Sequence, residues 1–249
     1  MKFTKILCLM LALMMLTVCF TACGESKGNV LTMATNAEFP PFEYLENGEI
    51  VGADVEIAQA IADYLGMELE ISNIDFDAAL TGAATGKYDM AVAGITANDE
   101  RRQNMNFSDN YYTASQSVIV MADSEYKVIA DLDGKNFACQ EGTTGEQYLL
   151  DNGYTMQSYK TGAEAVAALT AGKVDAVVID DAVARALSEK QNGKTVVLEE
   201  ALTQEAYAIA IEKGNDDMTA KINKALAAIK ADGTVAKIFE KYELPYDAE

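Results

Sequence analysis

Histidine is absent from the 249-residue sequence, and that one absence removes much of hydrolytic enzymology. No Ser-His-Asp or Cys-His relay can be assembled, and no histidine can ligate a metal. Cysteine is nearly as scarce. Of the four, Cys8 and Cys19 lie in an amino-terminal apolar run and Cys23 just beyond it. Cys139 is alone in the remainder, so no internal disulfide can form there; it sits in the apolar stretch 136–140 and reads as a buried, inert thiol. Basic residues are also few, 19 against 39 acidic, for a net charge of −20. A polyanion would be repelled by such a surface, because nucleic-acid binding rests on neutralising phosphates. Nucleic acid is therefore excluded as a partner. No acidic block is long enough to read as a disordered tail, so the charge belongs to a folded surface. Nothing in the sequence calls for a cofactor or a metal.

What is present begins with Lys2 and Lys5, an apolar run from Ile6 to Phe20, and small residues before Cys23. A basic start, a short apolar core and a small-residue exit make an export signal. The run is 15 residues long, short of the ~20 that a spanning helix needs. Its exit, Phe20-Thr-Ala-Cys23, resembles a bacterial lipoprotein box, although Phe20 stands where leucine is usual. The resemblance implies a signal peptide over 1–22, cleavage before Cys23, a lipid on its sulfur, and a tether over 23–29. Cleavage there leaves 17 basic against 39 acidic side chains, a net of −22.

The remaining ~225 residues suffice for one large domain or two smaller ones, and an internal repeat decides between them. Phe76–Thr96 and Gly162–Asp181 read alike: an Ala/Leu-rich helix, a Gly-Lys-x-Asp turn, and a short continuous apolar strand. Gly86 and Gly172 stop the helices where a left-handed residue is wanted. The strands, 90–93 and 176–179, have the composition of strands covered on both faces. The repeat predicts an α/β protein of two similar lobes, the first formed by 30–116 and 207–249 and the second by 117–206. Five residues on from Asp89 is Gly94; five on from Asp175 is Asp180. Ligands of open α/β sheets bind beyond the carboxyl ends of strands, so the Gly94–Thr96 turn and Asp180 bracket a predicted cleft. A strand at 31–35, a hairpin turning at Asn47-Gly48, and helices over 56–65, 219–230 and 234–242 complete the expected framework. The apolar runs 118–121 and 207–211 are expected to cross between the lobes.

Arg101 follows Thr96-Ala-Asn-Asp-Glu. Asn98 reads as an N-cap, with Asp99 and Glu100 in the acidic first turn that helices favour. Arg101 then falls at the third helical position, where a cation meets the positive end of the helix dipole at a local cost of ~0.3–1 kcal/mol. A guanidinium beside unpaired helix-start amides makes an anion site, its planar fork suiting a carboxylate; a solvated arginine paired with Glu100 fits the sequence equally. Asp180 is an acceptor able to hold an ammonium, or else, with Asp181, the cap of the following helix. Phe39, held extended before Pro40-Pro41, either walls a pocket or fills a core, and Phe76 poses the same choice. Gly142-Thr143-Thr144-Gly145 offers amides and hydroxyls that either bind an anion or cap a helix beginning near Glu146.

Five segments recur in a familiar order: Ala34-Thr-Asn-Ala-Glu-Phe-Pro-Pro-Phe-Glu-Tyr44; Val51-Gly-Ala-Asp54; Ala93-Gly-Ile-Thr96 through Arg101; Asn106-Phe-Ser-Asp109 with Tyr111-Tyr112; and Lys230-Ala-Asp-Gly-Thr234 with Lys241-Tyr242. Together they resemble the polar amino-acid solute-binding proteins of ABC importers, with the type II periplasmic-binding-protein-like fold and its interlobe cleft. The resemblance implies a lipid-anchored monomeric receptor on the outer face of the cell membrane. It would take a free polar amino acid in the L form and deliver it to an ABC permease with ATPase subunits. Arg101 and Thr96 would bind the ligand carboxylate, helped by the loop at Thr143 and Thr144. Asp180 and the Gly94 carbonyl would hold the ammonium, and Phe39 and Phe76 would sandwich the side chain. Asn36 and Gln140 would set selectivity. Asn36 stands where the family often has Asp, Ala53 where it has Phe, and Asn110 where it has Pro. Losing that Asp leaves the ligand's charge open, with Glu38, Asp54 and Glu141 nearby in sequence. Two rivals share the scaffold: an enzyme like cyclohexadienyl dehydratase, with Glu141 or Glu146 as its acid, and a sensor that presents its closed state to a signalling partner.

Overall fold

The continuous apolar runs of the repeat are interior strands, and the polar stretches between them are the turns and helices that cover those strands. A computed structural model describes residues 29–246; the predicted leader, Cys23 and most of the tether lie outside the described residues. The chain first lays down β1 (Val30–Thr35), a small sheet of β2 (Glu38–Phe39), β3 (Glu43–Glu46) and β4 (Glu49–Val51), then α1 (Ala53–Leu65) and β5 (Glu68–Asn73). It continues through α2 (Phe76–Ala84), β6 (Met90–Ala91), α3 (Asp99–Asn104) and β7 (Met105–Phe107). A short strand, β8 (Tyr112–Ala114), leads to the second lobe. That lobe comprises β9 (Gln116–Met121), β10 (Asn136–Gln140), α4 (Thr144–Asp151), β11 (Thr155–Tyr159), α5 (Gly162–Thr170), β12 (Ala176–Asp180), α6 (Asp181–Glu189) and β13 (Thr195–Val197). The chain returns along β14 (Glu205–Tyr207) and finishes with β15 (Ala210–Glu212), α7 (Asp216–Ala231) and α8 (Thr234–Lys241).

Each lobe is built on a five-stranded sheet, β5-β1-β6-β15-β7 in the first and β11-β10-β12-β9-β13 in the second. In both, parallel strands carry the repeat and antiparallel strands close one side: β1 runs parallel to β6 and β10 to β12, whereas β15 and β9 run antiparallel to their neighbours. Successive residues of β12 alternate between two apolar layers. Ala176 and Val178 pack with Phe137, Cys139 and Leu149; Val177 and Ile179 pack with Val166, Leu169 and Leu187. Met90 and Ala91 divide in the same way between two layers of the first lobe. Strands buried on both faces need no polar alternation, which is why the runs read as continuous.

Gly86 and Gly172 follow their helices with φ of 68° and 69°, and the hairpin turns at Asn47 and Gly48 with φ of 53° and 87°. Helix α1 begins at Ala53, three residues earlier than its apolar face indicates. The crossing strands also differ from expectation. Residues 118–121 lie inside the second sheet as part of β9, and 207–211 is divided between β14 and β15. The crossing is made by β8 and β14, which pair antiparallel with Tyr207 opposite Tyr112 and Glu205 opposite Ala114. An uninterrupted apolar run marks a sheet interior. A crossing strand has one neighbour and tolerates polar residues such as Glu205.

Candidate functional site

Asn98 caps α3, its Oδ1 accepting from the Arg101 amide at 2.8 Å. This sets Arg101 in the first turn with its side chain turned toward the other lobe. Nη1 donates to the Thr96 carbonyl and Nη2 to the Gly142 carbonyl, both at 3.0 Å, and the guanidinium lies 5.4 Å from the Phe76 ring centre. The residue is partly buried, and desolvation of its guanidinium lowers its pKa from the ordinary arginine value, opposed by the charges of Asp180 and Glu205. Arg101 makes no salt bridge among the described residues, so the solvated Arg101–Glu100 pair is not formed. Two of its five N–H donors are committed to carbonyls, which leaves a strong anion donor on the cavity wall.

Asp180 ends β12 and is 5% exposed. It holds the N-cap position of α6 without making a cap hydrogen bond, so the capping alternative does not account for its side chain. Its Oδ1 instead accepts from the Tyr207 hydroxyl at 2.5 Å. Burial, followed by the charge of Glu205, pushes its pKa up to about 7, and the Tyr207 hydrogen bond works in the opposite direction. On the other wall the turn after β6 holds Gly94 at φ 54°, and a Cβ there would stand 2.7 Å from the Phe39 ring. Only glycine lets the aromatic wall and this turn approach so closely.

All ten sequence-predicted positions converge on one cavity of about 300 Å³, counting the part open to solvent: Asn36, Phe39, Phe76, Gly94, Thr96 and Arg101 from the first lobe, and Gln140, Thr143, Thr144 and Asp180 from the second. Asn36 and Gln140 meet across it, Gln140 Nε2 donating to Asn36 Oδ1 at 3.1 Å. Thr143 caps α4 and donates to the Gln140 carbonyl at 2.7 Å. The hydroxyls of Thr96 and Thr144 both donate to Glu205 Oε2, at 2.5 and 2.8 Å.

Of the acids that sequence proximity indicates, only Asp54 adjoins the cavity wall, where it accepts from the Gly94 amide. Glu38 is exposed, and Glu141 pairs with Lys160 at 2.6 Å. Glu146 is held by the Gly142 amide at 2.7 Å and by the Ser158 hydroxyl. Neither Glu141 nor Glu146 lines the cavity; Glu43 does. Glu43 is 1% exposed, and burial, then Asp54 and Asp180, hold its pKa well above the ordinary carboxylate range. Among the described residues no protein donor reaches either Glu43 oxygen or Asp54 Oδ1. Asp54, pushed up to about 6 by burial, accepts from the Gly94 amide and the Tyr111 hydroxyl, each at 2.8 Å. Glu43 carried no signal in the local sequence. Glu205 carried none, because its two cavity-lining partners lie 61 and 109 residues away.

Two α/β lobes that each bring an opposite charge to a shared cavity define a two-lobed receptor for a small solute carrying both charges. The family model described as bacterial extracellular solute-binding proteins, family 3, matches residues 31–245, and the chain belongs to that family. It is 31% identical over 245 residues to the arginine-binding extracellular protein ArtP of Bacillus subtilis (strain 168), covering 94% of this chain and 96% of that one. It is 34% identical to ABC transporter arginine-binding protein 1 of Escherichia coli (strain K12), over 88% and 93% of the two chains. Among solved structures, an ancestral arginine-binding protein bound to glutamine superposes with a TM-score of 0.82 at 39% identity, over 86% of this chain and 97% of that one. These relatives are named as binding proteins. No helix among the described residues is long and apolar enough to cross a membrane.

Proposed function

We propose that the protein is a receptor for a free L-amino acid with a cationic side chain, which it delivers to an ABC permease, and that it is held at the outer face of the cell membrane by a lipid on Cys23. The observation that carries the reading is the division of charge. Arg101 approaches the cavity from one lobe and Asp180 from the other, as a carboxylate and an ammonium on one α-carbon require. Closing the lobes on such a ligand gives it contacts that neither lobe supplies alone, which is what makes ligand binding favour closure. Phe39 and Phe76 supply the apolar walls for its side chain.

The cationic side chain is favoured by what remains after that grip. Arg101 is the only cation lining the cavity among the described residues, against Glu43 and Asp180, with Asp54 and Glu205 bonded to the wall residues Gly94 and Thr96. A neutral zwitterion offers the buried Glu43 no charged partner. A guanidinium or ammonium beside Glu43 would pair with it and favour its ionised form. The names of the similar proteins point to arginine first. An enzyme on this scaffold is disfavoured, because its candidate acids, Glu141 and Glu146, are engaged outside the cavity.

A thermal-shift panel of free L-amino acids tests the reading, since a ligand at 100 times its Kd adds ~2.7 kcal/mol of stability. Arginine or lysine should give the largest shift. A panel with no shift would end the receptor reading, and one in which only neutral amino acids act would end the cationic one. Cys23→Ser should move the protein from the membrane to the soluble fraction of cells.

A further inference from the structure

Glu205 is not among the residues that line the cavity, yet it holds two that do. Its Oε2 accepts from Thr96, on the turn after β6 in the first lobe, at 2.5 Å, and from Thr144, the first residue of α4 in the second, at 2.8 Å. Oε1 accepts from Thr203 at 2.8 Å. The residue is 9% exposed and lies on β14, one of the two strands that cross between the lobes. We propose that Glu205 is a hinge-borne clamp: a positioning residue whose carboxylate bridges the two threonines only while the lobes are together and so favours closure.

The argument is geometric. Thr96 and Thr144 belong to different lobes, so any hinge rotation that separates the cavity walls moves one hydroxyl away from the other. Residue 207 of the same strand bridges to Thr96, which ties β14 to the first lobe; the bond to Thr144 is then the one that must break. If β14 moved with the second lobe instead, the bond to Thr96 would break. Either way one oxygen accepting from both hydroxyls is a contact of the closed arrangement alone, and such a contact biases the equilibrium toward that arrangement. A buried carboxylate tolerates desolvation when its oxygens are fully engaged by donors, and three hydroxyls engage this one.

The clamp also fixes what the threonines offer. Each hydroxyl has one proton, and in both cases it is directed at Glu205. Thr144 Oγ1 also accepts from Gln116 Nε2 at 3.2 Å; neither hydroxyl has a proton left for a ligand carboxylate, which depends on Arg101 and on backbone N–H groups.

The test compares Glu205→Ala with Glu205→Gln in the full chain. Gln keeps a carbonyl oxygen that accepts from both hydroxyls; Ala keeps nothing. Amide hydrogen exchange over residues 95–98 and 144–147, with no amino acid added, reads the clamp directly and does not depend on which ligand is correct. Stopped-flow dissociation of L-arginine reads its consequence. Glu205→Ala should raise exchange at both segments and speed dissociation about tenfold, with Gln within about threefold of wild type. Wild-type exchange and dissociation in a folded Ala variant would overturn the proposal, as would a Gln variant as impaired as Ala. Should Ala fail to fold, Thr144→Val breaks the same bridge from the other lobe, and unchanged exchange at 95–98 would overturn it. If L-arginine does not bind wild type, the arginine assignment of the preceding section fails while the exchange result still decides the clamp.

Discussion

At the scale of residues, the cavity rests on charges held out of water, and each has a measurable signature. On the proposed grip, removing the Arg101 guanidinium leaves the ligand carboxylate desolvated with no charged partner, a loss of ~3–5 kcal/mol by analogy with broken buried ion pairs. Arg101→Ala should therefore weaken binding of L-arginine by at least a hundredfold in calorimetry. Asp180 gives a dependence on pH. Its pKa is raised from 3.8 to about 7 by burial and Glu205, so the folded protein holds the proton more tightly than the unfolded chain. Its stabilising contribution is complete below pH ~4 and is lost as pH rises through 7. Asp54, at about 6, acts with the same sign. Without added ligand, Tm should fall between pH 4 and 7.5. An ammonium beside Asp180 favours the ionised form, so binding between pH 5 and 7 should release a proton, with affinity rising by up to about tenfold per pH unit. Calorimetry in two buffers of different ionisation enthalpy counts that proton; an uptake would contradict the assignment. Tyr207, Gln116, Glu205, Glu43 and Arg101 all act on this site and set where on the pH scale the change falls.

At the scale of elements, much was legible because local rules were kept or conspicuously broken. Asn98 announced a helix start, and Arg101 stood against the dipole of that helix. Helix α3 has only six residues, so its cap carries a large share of its order. Asn98→Ala should cost about 1 kcal/mol and also weaken L-arginine binding, because the cap fixes where the guanidinium points; a drop in Tm with unchanged affinity would separate the two. The repeat placed Asp180 at a strand end because strand length and apolar content are local properties. Glu43 and Glu205 were not legible as site residues. What makes them so is a neighbour distant in sequence, Asp180 for one and two threonines for the other, and no local pattern encodes which carboxylate will face which hydroxyl. The crossing strands were misplaced for a related reason: apolar runs mark sheet interiors, while a crossing is fixed by topology.

At the scale of the whole molecule, both walls of the cavity must respond together if the ligand bridges them. Saturating L-arginine should slow hydrogen exchange at residues 94–98 and at 142–147 in parallel; protection confined to one lobe would show that only half the site is occupied. Cys139 has a practical bearing on such measurements. Its thiol is fully buried, and burial pushes its pKa up to about 11, so it is neither reached by nor reactive toward maleimides in the folded state. It is the one cysteine among the described residues. A reporter dye can therefore be attached to a single cysteine introduced at Asp63 or Glu189, both exposed, with the native thiol left in place, which makes the two-lobed body a convenient frame for an optical amino-acid sensor.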